Sequence, residues 1–334
     1  MESRDDELFD EITEVEDEIS RFRSTTGNLQ DYVAVLRWDP RSWLGGGWGS
    51  ARAREMRRRR DVYLKKLNDD LDERIRNGTY KPCIQANVIL DKEARLNKEE
   101  LTSISLTMLS GGLDTITTLV AWAIALLAQR PDIQEKACGE IRQMYGEEQA
   151  LCDAYDDQKC AYVVALVREF LRFYTVLRLA LPRATVRDIV YEGVRIPEGT
   201  TVFLNAWACN MDAAIWPDPE TFRPERWLET PDAPLFTYGL GYRMCAGSLL
   251  ANRELYLIFM RVLNAFEIVK RTDVDAHPVS GSADPTSLVT MPRRYEVVFR
   301  PRNERALREA LTRAEGEAKG QEKEEKEKEK VGGL

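Results

Sequence analysis

Apolar residues recur at helical spacing through the first half of the chain. The spacing predicts amphipathic helices over 1–35, 54–77, 131–146 and 160–175, the last of them strongly apolar. A Gly- and Pro-rich break, 39–53, separates the first two helices, and Asn77-Gly78 is typical of a helix C-terminus. The short run NVIL, which ends at Leu90, is predicted to be strand-like.

The longest apolar stretch runs from Leu101 to Gln129 and is interrupted only by Asp114. It predicts a helix that begins near Asn97 and stops at Arg130-Pro131. A membrane span of this length is one interpretation. A charge at mid-bilayer costs at least ~2.5 kcal/mol, however, and two glycines and several hydroxyl residues lie in the same stretch. These features favour a buried core helix.

Strand signals appear only in the second half of the chain. Residues 184–207 alternate as short β runs with turns at Glu192-Gly193 and at 197–199. A turn-rich section follows, then a helix from about 246, and then short strands and loops over 266–302. Residues 303–334 are predicted to be a charged, flexible tail. The predicted fold class is therefore mainly α with a small β part.

Charge and composition exclude several functions. The net charge is −8, so the chain has no general basic field that would hold nucleic acid. Six cysteines form no CxxC pair, and His277 is the only histidine. Zinc sites, Ser-His-Asp catalysis and histidine-ligated haem are therefore disfavoured, and a metal would be held by sulfur or oxygen. The acidic opening has no apolar core, so we expect no signal peptide or anchor.

One cysteine, Cys245, lies in an unusual setting, the stretch FTYGLGYRMCAG before a long apolar helix. The N–H groups at the start of that helix favour a thiolate. Gly239, Gly241 and Gly247 allow the backbone to turn tightly and to approach a flat ligand closely. Arg243 can pair with a carboxylate of that ligand. A reactive or metal-bound thiolate is the interpretation that uses all of these residues.

The same stretch resembles the haem-binding loop of the cytochrome P-450 superfamily, Phe-x-x-Gly-x-Arg-x-Cys-x-Gly, with Tyr238 in place of phenylalanine. The resemblance implies the C-terminal portion of the cytochrome P-450 fold and a haem b cofactor. Cys245 would be the axial ligand of the haem iron. Arg243 and Arg183, the latter in LALPRATV, would neutralise the haem propionates, which are costly to bury unpaired.

Two further motifs extend the resemblance. REFLR and FRPERW contain Glu169, Arg172 and Arg226, which correspond to the superfamily's Glu-Arg-Arg lock, a structural element that fixes the cysteine loop. Glu169 and Arg172 are also spaced i, i+3 on one predicted helix, so they can form an ion pair.

GGLDTI is similar to the superfamily's oxygen-side motif. The resemblance implies that Gly111 and Gly112 thin the helix to open a groove for dioxygen. Asp114 and Thr115 would deliver protons during oxygen activation. Ile116 departs from the pattern because a hydroxyl residue is usual there, although Thr117 follows at once.

At finer detail the chain looks similar to the fungal phenylacetate hydroxylases of this superfamily. This implies a monooxygenase that hydroxylates a small aromatic acid of the phenylacetate or hydroxyphenylacetate type with O2. Electrons would come from NADPH through a separate flavoprotein reductase. Residues 175–181 would line the substrate pocket, through Val176, Leu177 and Leu179, with Arg178 on the substrate carboxylate. The alternative for Arg178 is a salt bridge within the fold.

The resemblance also bears on domain organisation, because relatives are longer and carry a membrane anchor. We expect one incomplete domain over 1–302, in which 1–78 is a remnant of upstream helices and 79–302 is the haem and oxygen-activation core. Relatives lie on the cytosolic face of the endoplasmic reticulum membrane, whereas a chain without the anchor would be cytoplasmic or peripheral. Two alternatives stay open: a truncated, inactive fragment, and a haem-thiolate sensor or electron carrier.

Overall fold

The computed structural model describes residues 7–22, 48–91, 93, 96–147, 149–153, 155 and 158–331. The described helices are α1 (Glu7–Phe22), α2 (Trp48–Asn77), α3 (Ile84–Leu90), α4 (Lys98–Leu127), α5 (Pro131–Tyr145), α6 (Ala161–Tyr174), α7 (Ala206–Asn210), α8 (Arg226–Glu229), α9 (Ser248–Ala265) and α10 (Glu304–Val331). The strands are β1 (Arg183–Ala184), β2 (Ile189–Tyr191), β3 (Val194–Ile196), β4 (Thr201–Val202), β5 (Phe266–Lys270) and β6 (Val297–Pro301). They form three antiparallel pairs, β1 with β4, β2 with β3, and β5 with β6. The predicted fold class, mainly α with a small β part, is confirmed.

Local signals placed several helix ends correctly. Asn97 and Glu100 form a reciprocal cap before α4: Asn97 Oδ1 accepts from the Glu100 N–H at 2.9 Å, and Glu100 Oε2 accepts from the Asn97 N–H at 2.8 Å. After α2, Gly78 has φ +71°, and the Thr79 N–H donates to the carbonyl of Arg74 at 2.9 Å. Caps of this kind need only neighbouring residues, which is why the sequence predicts them.

Two predictions of local structure are wrong. NVIL belongs to helix α3, because Cys83 Sγ accepts from the Ala86 N–H at 3.4 Å at the helix start and Ala86 is buried. Helix α2 begins at Trp48, so the second half of the predicted break at 39–53 is helical. Residues 23–35, predicted as helix, and 39–47 lie outside the described residues.

The chain divides into two compact units. The first comprises Met1–Asp114, Thr286–Leu288 and Gln321–Leu334. Its core joins α1 to α2 through four buried side chains, Ile12, Val15, Tyr63 and Leu64. Buried Glu16 lies in this core and accepts hydrogen bonds from the hydroxyls of Tyr63, at 2.5 Å, and Ser110.

The second unit comprises Thr115–Pro285 and Val289–Gly320. Its centre is α6, where Phe170, Tyr174 and their neighbours are almost wholly buried. The ring of Trp122 in α4 stacks on Tyr174 with centroids 4.8 Å apart, and its indole N–H donates to the carbonyl of Thr290 at 2.6 Å. This packing ties α4 and the segment around Thr290 to α6.

Within the described part of the chain, α4 is the one helix long and apolar enough to cross a membrane. Its buried side chains all lie in the last third, between Thr118 and Leu127. The prediction of a buried core helix is therefore confirmed for that third, whereas the earlier turns are exposed or half-buried.

Candidate functional site

The Cys245 loop is a tight turn that presents its thiol outward. Gly239 and Gly241 have φ values of +79° and +62°, which side chains rarely tolerate. The Cys245 N–H donates to the carbonyl of Tyr238 at 2.8 Å and closes the turn. The thiol is exposed, and a Cβ built on Gly247 would lie 3.9 Å from Sγ. Helix α9 begins at Ser248, whose N–H donates to the carbonyl of Cys245 at 3.3 Å, so the cysteine directly precedes the N-terminus of the helix.

The surroundings of this thiol fit a flat, apolar ligand that carries negative charge. Exposed apolar side chains flank it in sequence on both sides: Leu240, Tyr242, Met244, Leu249 and Leu250. Arg183 Nη2 donates to the carbonyl of Arg243 at 3.1 Å, so the two predicted propionate arginines lie together. Within the described residues neither has an acidic partner, and no cluster of three metal-ligating side chains occurs. One cysteine sulfur and two arginines without acidic partners among the described residues are a donor set that fits a haem.

Tyr238, the departure from the usual phenylalanine, makes a contact that phenylalanine cannot. Its hydroxyl donates to Asn252 Oδ1 in α9 at 2.7 Å. Burial, with a smaller contribution from the negative charge of Cys245, raises the pKa of Tyr238 far above its usual value. The phenol therefore stays neutral and ties the start of the loop to the helix that follows it.

Tyr238→Phe should consequently lower the free energy of unfolding by about 0.5–1.5 kcal/mol, the usual net value of one hydrogen bond. Urea unfolding followed by circular dichroism measures the change. Asn252→Ala should cost a similar amount, and the double variant should cost little more than either single one. Fully additive losses would contradict the pairing.

The predicted Glu-Arg-Arg lock is formed and buried. Glu169 and Arg172 have no exposed surface, and Arg226 is 4% exposed. Arg172 donates to both carboxylate oxygens of Glu169, from Nε at 2.9 Å and from Nη2 at 2.8 Å. Arg226 Nε donates to Glu169 Oε1 at 3.1 Å. The i, i+3 pair expected from the sequence is therefore a bidentate buried ion pair joined by a second arginine.

Two further donors, which the sequence did not indicate, complete the lock. The Arg223 backbone N–H and the Trp227 indole N–H both donate to Glu169 at 2.9 Å. The remaining guanidinium N–H groups bind backbone carbonyls, including that of Pro219 for Arg172 and that of Pro217 for Arg226. Burial lowers the pKa of Arg226, and the charge of Glu169 opposes that shift. The ion pairs are thus supported by the additional hydrogen bonds that buried charges need.

The GGLDTI motif lies on α4. A Cβ built on Gly111 or Gly112 would meet no atom within 4 Å, and both glycines are exposed, so the helix presents an open face there. Asp114 and Thr115 follow in the next turn and are half-buried. Their roles in oxygen activation stay predictions.

The predicted substrate segment follows α6 directly. Val176 is buried, whereas Leu177, Arg178 and Leu179 are half-buried. Arg178 has no acidic partner within the described residues, so the alternative of a salt bridge is not observed there. Its Nη2 donates to the carbonyl of Pro278, and its Cζ lies 4.6 Å from the Trp207 ring centroid.

Several known proteins and one family model match this chain. The family model for cytochrome P450 matches residues 1–299. Two relatives from Emericella nidulans are a 3-hydroxyphenylacetate 6-hydroxylase, 68% identical over 93% of this chain, and a phenylacetate 2-hydroxylase, 41% identical over 94%. A solved zebrafish cytochrome P450 structure with progesterone shares the fold, with a TM-score of 0.74 and 23% identity over 90% of this chain and 66% of that one.

The chain spans 59% of the first Emericella relative and 61% of the second. The family model nevertheless extends over most of this chain, from the first residue to β6. On this evidence the chain belongs to the cytochrome P450 family.

Proposed function

We propose that the chain is a haem-thiolate monooxygenase that hydroxylates a small aromatic acid of the phenylacetate or hydroxyphenylacetate type. The observation that carries the proposal is the exposed Cys245 thiol on a glycine-rich loop, beside two arginines that have no acidic partner in the part of the chain that the structure describes. The two Emericella relatives, named as hydroxylases of such acids, support the substrate class.

In this proposal Cys245 would hold haem b through its sulfur, and Arg183 and Arg243 would bind the haem propionates. Gly239, Gly241 and Gly247 leave room beside the ring. The haem supplies the oxidising power for inserting oxygen from O2 into an aromatic C–H bond. Thr115 would donate the proton of its hydroxyl during oxygen activation, and Asp114 would return a proton to that hydroxyl. The electrons come from NADPH through a separate flavoprotein reductase, at the cytosolic face of the endoplasmic reticulum membrane.

The test is reconstitution of the full chain with haem, followed by the reduced carbon-monoxide spectrum. A strongly red-shifted Soret band is expected from thiolate ligation. Turnover with reductase, NADPH and either phenylacetate or 3-hydroxyphenylacetate should then give a hydroxylated product. A folded chain without the shifted band would support the inactive-fragment alternative. The shifted band without any product would support a sensor or electron carrier.

The carboxylate of the substrate would bind Arg178. Burial lowers the pKa of this arginine, and its Nε is buried without a hydrogen-bond partner. A desolvated guanidinium with an unused donor is costly unless an anion meets it. Trp207, which stacks against the guanidinium, holds its plane in a fixed orientation. The apolar neighbours Leu177 and Leu179 suit an aromatic ring.

We therefore expect Arg178→Leu to weaken phenylacetate binding about 10- to 100-fold, since hydrogen bonds to charged groups contribute about 1.5–3 kcal/mol. Spectral titration of the haem-loaded chain measures Kd. Arg178→Lys keeps the positive charge but lacks the planar guanidinium with its paired N–H donors. It should give a smaller loss of phenylacetate affinity. Phenylacetamide is the matched neutral ligand, and its affinity should change little. Equal losses of affinity for phenylacetate and phenylacetamide, or no loss for phenylacetate, would show that Arg178 does not recognise the carboxylate.

A further inference from the structure

The side chain of Asn210 connects the helix of the lock to the start of the Cys245 loop. Asn210 ends α7 and has no exposed surface. Its Nδ2 donates to Thr175 Oγ1 at 2.9 Å and to Thr237 Oγ1 at 3.0 Å. Its Oδ1 accepts from the backbone N–H of Phe236 at 3.0 Å. Both donors and the acceptor of this amide are therefore in use, in a place that water does not reach.

The hydroxyls that Asn210 contacts are themselves tied to α6. Thr175 Oγ1 donates to the carbonyl of Arg172 at 2.8 Å, and Thr237 Oγ1 donates to the carbonyl of Leu171 at 2.6 Å. The carbonyl of Asn210 in turn accepts from Arg172 Nη1 at 3.0 Å. Each polar atom in this cluster has a partner, so the cluster favours one arrangement of the backbone.

The lock does not reach the loop directly. Apart from the bonds within the lock, the side-chain hydrogen bonds of Glu169, Arg172 and Arg226 in the described part of the chain end on residues 210–227 and stop short of the loop at 236–247. Asn210 bridges this gap, because it contacts Arg172 on one side and Phe236 and Thr237 on the other. From Thr237 the chain continues to Tyr238, whose carbonyl accepts from the Cys245 N–H.

We infer that Asn210 is a positioning residue for the thiolate loop, through which the buried lock sets the backbone that carries Cys245. The inference rests on the proposed role of Cys245 as haem ligand. It assigns to one amide a mechanical link, beside the Thr237–Leu171 hydrogen bond, between an ion-pair cluster and a ligand loop that share no direct side-chain hydrogen bond among the described residues.

The matched control is Asn264, a second buried asparagine, 7% exposed. Its Nδ2 donates to the carbonyls of Gln149, at 2.6 Å, and Ala150, at 3.2 Å. Asn210→Ala and Asn264→Ala each remove a buried amide and should lower stability by similar amounts. Only the first should disturb the Cys245 loop.

The first readout needs no haem. The full chain labelled with 15N-cysteine gives six backbone amide signals, one of them Cys245. Asn210→Ala should speed hydrogen exchange of the Cys245 amide about 2- to 10-fold, because local opening becomes easier by about one hydrogen bond. The amide of Cys160, which donates to Tyr256 at 2.9 Å, is the internal reference and should not change. Asn264→Ala should leave the Cys245 amide unaffected.

The second readout is the fraction of reconstituted haem that gives the thiolate-type carbon-monoxide spectrum. It should fall in Asn210→Ala and stay unchanged in Asn264→Ala. Thr237→Val, which keeps the side-chain shape and is the milder change if Asn210→Ala does not fold, should act in the same direction. The double variant should add little, since the two residues share one hydrogen bond.

An unchanged Cys245 amide in both Asn210→Ala and Thr237→Val would overturn the inference, as would equal changes in the Asn264 control. If the unsubstituted chain gives no thiolate spectrum, the proposed function fails, and the amide exchange still decides whether Asn210 positions the loop. The two failures are therefore distinguishable.

Discussion

Glu169→Gln should lower the free energy of unfolding by about 3–5 kcal/mol, because breaking a buried ion pair leaves the opposite charges uncompensated. Two arginines, Arg172 and Arg226, would lose their common carboxylate in a place with almost no access to water. Glutamine would also place an NH2 group among donors from arginine and tryptophan. Since a typical domain is stable by about 5–15 kcal/mol, this is a large fraction of the total.

Urea unfolding monitored by tryptophan fluorescence tests this result, because Trp216 and Trp227 pack together beside the lock. The control is Glu229→Gln. Glu229 pairs with Arg223 at 2.5 Å, yet both side chains are largely exposed, so its loss should cost less than about 1 kcal/mol. Similar losses for the two variants would mean that burial does not govern the strength of the lock.

Cys245→Ser should abolish the thiolate-type spectrum of the haem-loaded chain while leaving the fold intact. The thiol is exposed, and surface substitutions usually change stability by at most about 0.5 kcal/mol. Serine cannot supply the sulfur ligand on which the red-shifted band depends. The measurements are urea unfolding of the chain without haem and the reduced carbon-monoxide spectrum after reconstitution.

Cys209→Ser is the matched control, since Cys209 is half-buried and belongs to the neighbouring helix α7. It should keep the shifted band. A shifted band that persists in Cys245→Ser would assign the ligand to another cysteine, and loss of the band in both variants would point to a general effect on folding.

The errors of sequence reasoning concern segments whose local signals are weak. NVIL is β-branched and apolar, which is typical of a strand, but the seven-residue helix α3 is fixed by a cysteine cap and by Gln85, whose Nε2 donates to Asn68 Oδ1 at 2.7 Å. A contact 17 residues away along the chain cannot be inferred from the pattern of a short run. The start of α2 inside a Gly-rich stretch was missed because glycine lowers helix propensity.

The sequence by itself indicated most of the long helices, the caps after α2 and before α4, and the composition of the ligand loop. These features depend on hydrophobic periodicity, on residues adjacent in sequence and on five constrained positions around Cys245. All three signals can be read directly from the amino-acid sequence. It also indicated the pair Glu169 and Arg172, because residues three apart on a helix lie on the same face.

Only the tertiary structure decided how the lock is completed and how it reaches the loop. Trp227 and the backbone of Arg223 join Glu169 across more than 50 residues. Asn210 lies in the stretch that the sequence predicts to be turn-rich, yet it is fully buried between α6 and the Cys245 loop. Hydrogen-bond partners that are distant in sequence are chosen by packing, because burial excludes the water that would otherwise satisfy each polar group.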